Sequence, residues 1–546
     1  MTDALFGKKT DSSEIAPPYL NASALRSFRG AARTSGSALM EASETWYAHL
    51  ALILLICGLT LAVPGEALSS VWHAEAGVFL GLGILATWRY SWGILHFVRA
   101  LIYRKISFPR LRKASDAAVD RGISTGQVPH AYLLVTSFRV DADTSASVYR
   151  ATFEAAMAAP GKTTVVASLV DVSDQRLVTA AYQRICGAAT NVRMVIVRIK
   201  GTGKRDALAN GFRAIANAQP GPDDIVAVID GDSVVPRDLV AKCLGFFLDN
   251  PKVGALTTDE ISEVRGRAIF HIWYSLRFAQ RNILMASNGL ARRVLTLTGR
   301  MSMFRADVIC NPSFINQVEQ DFIDHWRIGR IKFLTGDDKS SWFWLLKNGY
   351  QMLYVPDLLV STVEDPPSDK FLVAAAQLMT RWFGNMLRTN GRALMLGPSR
   401  IGYFTWWAIF DQRISMWTSL AGLVMVILIG IFVTPLAFLG YVVWVLVTRY
   451  VLTLLLFQSR SRVSALYPFL IYFNQIFGSM VKTYIFFRPN KQRWTRQKTT
   501  LAKSGGWLRG AFVTATSTYM HGLAIAVFVT TVAWLIGLLP SPQLTF

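Results

Sequence analysis

Four aspartates and one lysine carry the chemistry this sequence can do. Asp230-Gly231-Asp232 closes an apolar Val/Ile run, Thr335-Gly336-Asp337-Asp338 follows about a hundred residues on, and Arg381-Trp382 comes after that. Carboxylates one residue apart after a buried strand make a hard oxygen site. Such a site takes Mg²⁺ or Mn²⁺ with help from the phosphates of a nucleotide diphosphate; the alternative is an Asp-Gly-Asp turn without metal. A carboxylate at Asp337 or Asp338 is suited to take the proton of a sugar hydroxyl while a leaving group departs on the opposite side. Adjacent aspartates raise each other's pKa, and the residues alone do not say which is the base.

Other residues fit around this core. Gly201-Thr202-Gly203-Lys204-Arg205-Asp206 lacks the Walker spacing, yet Lys204 is suited to neutralise a diphosphate. Thr136 ends the first strand of the central region, where open α/β sheets bind ligands. Asp171 ends the second and could accept hydrogen bonds from a base or ribose, or simply cap a helix. Thr298-Gly299-Arg300 has the look of an acceptor-binding turn. Arg381 could hold phosphate and Trp382 could stack on a sugar ring. Trp494-Thr495-Arg496, on a basic loop, could cap a loaded site, with an interfacial anchor as the other reading of Trp494. Arg89 and Arg449 lie deep in apolar segments. A charge there faces a wet path or a partner, so they line an exit path for an anionic chain, snorkel, or pair within a helix bundle.

Elements able to position these residues follow from composition. The chain has 546 residues, 52% of them hydrophobic, with 17% charged and mean hydropathy +0.32. That is too apolar for an ordinary soluble domain, and the apolar excess sits towards the two ends. Net charge is +22, which fits an anionic membrane surface or an anionic substrate. Nucleic acid is excluded as a partner because the basic residues form no contiguous tract and no binding module. Cys57, Cys186, Cys243 and Cys310 are scattered, with neither disulfide nor zinc spacing.

Residues 1–45 read as a poorly ordered cytoplasmic tail. Residues 46–105 hold two membrane spans (47–63 and 76–103), followed at once by Arg104 and Lys105, which mark the cytoplasmic side. Residues 106–365 form a cytoplasmic α/β domain whose strands at 131–135, 164–170, 194–197 and 225–229 build a mixed or parallel sheet. Residues 366–410 are interfacial helices and 411–460 a spanning hairpin (414–433 and 436–457). Residues 461–510 combine an interfacial or re-entrant helix at 467–487, basic at both flanks, with the basic loop. Residues 511–546 hold a last span and tail. The count is about five spans.

These motifs resemble the family 2 glycosyltransferases with the A-type (GT-A) fold, the group of hyaluronan, chitin and cellulose synthases. In that pattern Thr136, Asp171, Asp230 and Arg381-Trp382 meet the donor, Asp230 and Asp232 the metal, and Asp338 serves as base. Trp494-Thr495-Arg496 resembles the gating loop of the hyaluronan and chitin branch. Longer strings over residues 48–498 are similar to the catalytic subunits of bacterial alginate polymerases, among them Phe333-Leu334-Thr335-Gly336-Asp337-Asp338-Lys339-Ser340-Ser341-Trp342 and Arg381-Trp382-Phe383-Gly384-Asn385. This resemblance implies a processive inverting enzyme of the bacterial inner membrane that makes β-1,4-linked polymannuronate from GDP-mannuronate. It also implies a PilZ-domain cyclic di-GMP receptor subunit and periplasmic export and modification proteins as partners. One departure is at Leu378, where the hyaluronan and cellulose pattern Q-x-x-R-W has Gln; here Gln377 stands one residue earlier. The alternatives are a neutral β-glucan or amino-sugar synthase using a UDP-sugar, and a non-catalytic membrane scaffold. Arg292, Arg293, Arg300 and Arg305 near the acceptor turn favour an anionic sugar, since guanidinium pairs well with carboxylate.

Overall fold

The computed structural model describes residues 35–65, 76–138, 140–492 and 507–540. Most of the expected N-terminal tail, the loop with Trp494, Thr495 and Arg496, and residues 541–546 lie outside the described residues. The tail expectation ends too late. Ser35–Ser43 is helical, and it is tied to the rest of the chain where Ala465 N–H donates to Ser43 O at 2.8 Å.

Ten strands occur in chain order: β1 (Ala131–Thr136), β2 (Thr163–Leu169), β3 (Val192–Arg198), β4 (Ile225–Asp230), β5 (Ser233–Val234), β6 (Val253–Val264), β7 (Met301–Arg305), β8 (Phe322–His325), β9 (Gly329–Lys332) and β10 (Gln351–Glu364). Eight of them form one sheet in the order β3-β2-β1-β4-β7-β6-β10-β5, and β8-β9 is a separate hairpin. Of the two arrangements expected, the mixed one is found: β3, β2, β1 and β4 run parallel, while β7 is antiparallel to both β4 and β6.

Every residue of β1 and β2 is buried, as a strand covered on both faces must be. β3 is the edge, and it turns Arg193 and Arg198 to solvent, which guards the unpaired backbone. Register then does the positioning. Thr136 lies beside Asp230 across the β1–β4 pair. Because β7 runs backwards, it begins where β4 ends, so Asp230 N–H donates to Arg300 O at 2.9 Å.

The helical blocks flank this domain. Tyr403–Phe432, Ala437–Gln458 and Trp507–Leu535 are each long and apolar enough to cross a membrane, the three such helices among the described residues. Trp46–Leu61 is apolar but short, and Ala76–Ile102 leads through Tyr103–Ser107 into the domain. The helix expected to start near residue 414 begins at Tyr403, a 30-residue element that joins the last interfacial residues to the span without a break. Helix Phe371–Leu394 lies between the domain and the bundle. Tyr467–Phe486 packs against it and against the two neighbouring candidate spans.

Candidate functional site

A cleft of about 1160 Å³ opens at the carboxyl ends of β1 and β4 and runs to helices Phe371–Leu394 and Tyr467–Phe486. At its sheet end the chain turns tightly. Gly231 N–H donates to Thr136 O at 2.9 Å, and a methyl group on Gly231 would stand 2.8 Å from that oxygen and 2.9 Å from Ser137 Cα. Only glycine lets the two strand ends approach this closely, which holds Asp230 and Asp232 beside Thr136.

Lys204 opens helix Lys204–Asn217 and bridges two acidic motifs: its Nζ is 2.5 Å from Asp230 and 3.3 Å from Asp337. Burial would lower the lysine pKa, but the two aspartates outweigh it and raise it. Burial pushes Asp230 up to about 7, with Asp232 and Asp337 adding to the push and Lys204 opposing it. Burial also acts on Asp337, yet Lys204 and Arg205 hold its carboxyl below the usual range. Asp338 goes the other way, raised by burial and then by the charge of Asp337. The two neighbours are therefore inequivalent: Asp337 is an ion-paired anion, while Asp338 has no ion pair among the described residues.

The Thr335–Asp338 turn is fixed from two sides by residues that the sequence reading passed over. Arg205 donates to Val318 O at 2.6 Å, Thr335 O at 3.0 Å and Ser340 Oγ at 3.1 Å. Thr335 Oγ1 donates to Asn385 Oδ1 at 2.8 Å, and Arg388 holds the same oxygen at 2.6 Å. Gly336 has φ +83° and faces Asn385 so closely that a methyl group there would lie 2.8 Å from Asn385 Cγ. The signal in the sequence was present, since Arg205 and Asn385 lie within the long motif strings, but nothing in their spacing tells that they meet.

The acceptor-side turn joins the same cleft. Thr298 is buried, and its hydroxyl donates to Met301 O at 2.9 Å. A methyl group at Gly299 would lie 3.2 Å from Lys204 Nζ. Arg300 is paired with Glu260 at 3.1 Å and with Glu364. Arg381 and Trp382 line the cleft, as do Gln377 and Leu378. The Trp382 ring carries the Arg277 guanidinium, 3.4 Å from the ring centroid, and meets Trp273 at 5.8 Å.

Some expected residues stand elsewhere. Asp171 is exposed at the start of helix Val172–Cys186, makes no side-chain cap bond, and does not line the cleft. Of the arginines thought to favour an anionic sugar, Arg292, Arg293 and Arg305 are corrected: none lines the cleft. Arg305 is buried at the far end of β7, donating to Phe247 O at 2.7 Å and pairing with Asp223 at 2.9 Å. Arg89 pairs with Asp411 at 2.8 Å and Arg449 donates to Gln475, so both have partners inside the helical bundle.

Among the described residues no group of three or more His, Cys, Asp or Glu side chains converges as a metal cage. Asp230 and Asp232 can supply two hard carboxylates at most. That donor set fits an ion completing its shell from phosphate oxygens and water, as Mg²⁺ and Mn²⁺ do.

The model of the glycosyltransferase like family 2 matches residues 129–385. A glycosyltransferase alg8 from Pseudomonas syringae pv. tomato is 46% identical over 485 residues, covering 89% of this chain and 96% of that protein. Another, from Azotobacter vinelandii, is 44% identical over 493 residues, covering 90% and 97%. Among solved structures, the mannosyltransferase PcManGT from Pyrobaculum calidifontis in complex with GDP-Man and Mn²⁺ is 14% identical with a TM-score of 0.38, over 71% of this chain and 98% of that one.

Proposed function

This chain belongs to the alg8 glycosyltransferases of family 2, with a GT-A domain set between helical blocks, and from that premise we propose that it polymerises mannuronate from GDP-mannuronate into β-1,4-linked polymannuronate, the alginate precursor. The observation that carries this reading is the bridging of Asp230 and Asp337 by Lys204, with Asp232 and Asp338 lining the same cleft, which runs on to helices Phe371–Leu394 and Tyr467–Phe486.

In this reading Asp338 accepts the proton of the acceptor hydroxyl as that oxygen attacks the anomeric carbon. The new C–O bond forms on the face opposite the departing diphosphate, the bond from the anomeric carbon to phosphate oxygen breaks, and GDP leaves, so the configuration inverts. Lys204 meets the diphosphate, Thr136 the nucleoside, and Arg381 and Trp382 the sugar and phosphate, with Thr298, Gly299 and Arg300 towards the acceptor. Asp230 and Asp232 would hold Mg²⁺ or Mn²⁺, which offsets charge on the leaving diphosphate when bound. Asp171 keeps a donor role only if a base or ribose extends past the cleft rim. Trp494, Thr495 and Arg496 would close over the loaded site. The enzyme sits in the bacterial inner membrane with its catalytic domain in the cytoplasm. A PilZ-domain cyclic di-GMP receptor subunit regulates it, and periplasmic export and modification proteins receive the chain.

The product tests the proposal. Membrane vesicles given GDP-mannuronate, cyclic di-GMP and the native partners should form an acidic polymer whose NMR spectrum shows β-1,4-linked mannuronate. A neutral polymer, or retained configuration at the anomeric carbon, would overturn it.

Arg89 and Arg449 are proposed to border the exit path while holding the bundle. The Arg89→Leu/Arg449→Leu protein should release nucleotide but export several-fold less polymer, on the order expected for loss of intramembrane charges. Arg449→Leu alone keeps the Arg89–Asp411 pair and so separates the path from the pair. Undiminished export by the double variant would remove both residues from the path.

A further inference from the structure

We infer that Lys482 reads the carboxylate of uronosyl units at the membrane-side end of the cleft, which makes it a specificity-determining residue for an acidic chain. This rests on the proposed polymannuronate activity and names a contact which that reading leaves unassigned.

The placement comes from one helix face. On Tyr467–Phe486, residues Asn474, Gly478 and Lys482 recur every four positions and so form a single ridge. Asn474 and Lys482 both line the cleft. Trp273 Nε1 donates to Asn474 Oδ1 at 2.7 Å, which locks the ridge against the domain. A methyl group on Gly478 would lie 3.4 Å from Phe383, in van der Waals contact, so the Phe383 ring packs directly against this part of the ridge. That ring underlies Lys482, whose Nζ is 4.7 Å from its centroid.

The ammonium there lacks an anionic partner. Among the described residues no carboxylate lies within ion-pair distance of Lys482. The carboxylate whose charge reaches it most strongly, Asp411, is engaged by Arg89 at 2.8 Å. Two cations thus share one anion, leaving one positive charge over. A half-buried ammonium with only a ring beneath it is costly unless an anion visits it. Nearby, Arg277 has an Nη1 that is buried without a hydrogen-bond partner. Asp230 and Asp337 at the sheet end of the cleft already have Lys204, and Arg300 has Glu260 and Glu364, whereas Lys482 lines the same cleft with no carboxylate in ion-pair distance among the described residues. A neutral sugar chain gains nothing from the unpaired ammonium, whereas a chain with one carboxylate per residue supplies the anion it lacks.

The test is equilibrium binding of mannuronate oligosaccharides, and of the same oligosaccharides with carboxyl groups reduced to alcohols, to the purified full-length protein. Wild type should bind the acidic form about tenfold more tightly, the size of one charged hydrogen bond. Lys482→Gln should lose that preference, and Lys482→Arg should keep it; Lys482→Met serves if the glutamine variant fails to accumulate. No preference in wild type, a preference retained without Lys482, or an equal loss for both oligosaccharides would overturn the assignment. Donor turnover separates the two claims. Wild type that polymerises only a UDP-sugar removes the polymannuronate reading itself. Wild type that uses GDP-mannuronate, with discrimination intact in Lys482→Gln, removes only the role of Lys482.

Discussion

Replacing Asp338 by Asn should lower polymer formation by about 10²- to 10⁴-fold, the usual contribution of a positioned general base. Nucleotide binding and membrane assembly should persist. The change is nearly isosteric, and among the described residues Asp338 has no ion pair whose loss would strand a partner. The same geometry sets the pH profile. Burial and Asp337 raise the Asp338 pKa above the usual carboxylate range, and a base works only when deprotonated. Activity should therefore fall as pH drops through an apparent pKa higher than that of a free aspartate. Asp337→Asn should behave differently, because Asp337 is ion-paired to Lys204 at 3.3 Å. Its removal disturbs the lysine and the donor end, so donor affinity should fall along with turnover. If Asp338→Asn polymerised at the wild-type rate, the base would have to be sought elsewhere, and a non-catalytic scaffold would regain standing if both variants matched wild type.

Chelation of divalent metal should abolish turnover, and Mg²⁺ or Mn²⁺ should restore it, with the concentration needed rising steeply as the medium is acidified. Asp230 is the reason. Its carboxyl is pushed up to about 7 by burial, so below that pH a proton competes with the metal for the same oxygen. For one such proton, the half-activating metal concentration rises about tenfold per pH unit below the pKa. Asp232→Asn should raise the same concentration at every pH, since it removes one of the two carboxylates proposed to hold the metal. Full activity after exhaustive chelation would end the metal assignment for Asp230 and Asp232 while leaving Asp338 untouched.

How much of this was legible depended on which forces act locally. Strands β1, β2 and β4 were read from sequence because burial on both faces favours apolar and β-branched runs, nearly continuous in β1 and β4 and interrupted only by small hydroxyl residues in β2. β7 and β10 escaped notice. β10 carries Pro356-Asp357, and its pairing with β6 shifts register between Val355 and Leu359. The acidic motifs were legible because a strand end followed by Asp-Gly-Asp has few other uses. Their fastening was not, because Arg205 and Asn385 reach Thr335 through tertiary contacts 130 and 50 residues distant in sequence. The arginine argument failed for a geometric reason. Arg300 and Arg305 are neighbours in sequence but bracket an extended strand, which at about 3.3 Å per residue sets them roughly 16 Å apart. One stands in the cleft, the other is buried within the domain at the far end of the strand.

The most direct measurement is nucleotide release and polymer formation in membrane vesicles offered GDP-mannuronate and, separately, UDP-sugars, with cyclic di-GMP, the native partners and the Asp338→Asn protein alongside. The expected result is GDP release matched by acidic polymer from GDP-mannuronate alone, absent in the variant. Turnover confined to a UDP-sugar, or turnover with GDP-mannuronate that survives in Asp338→Asn, would contradict the account.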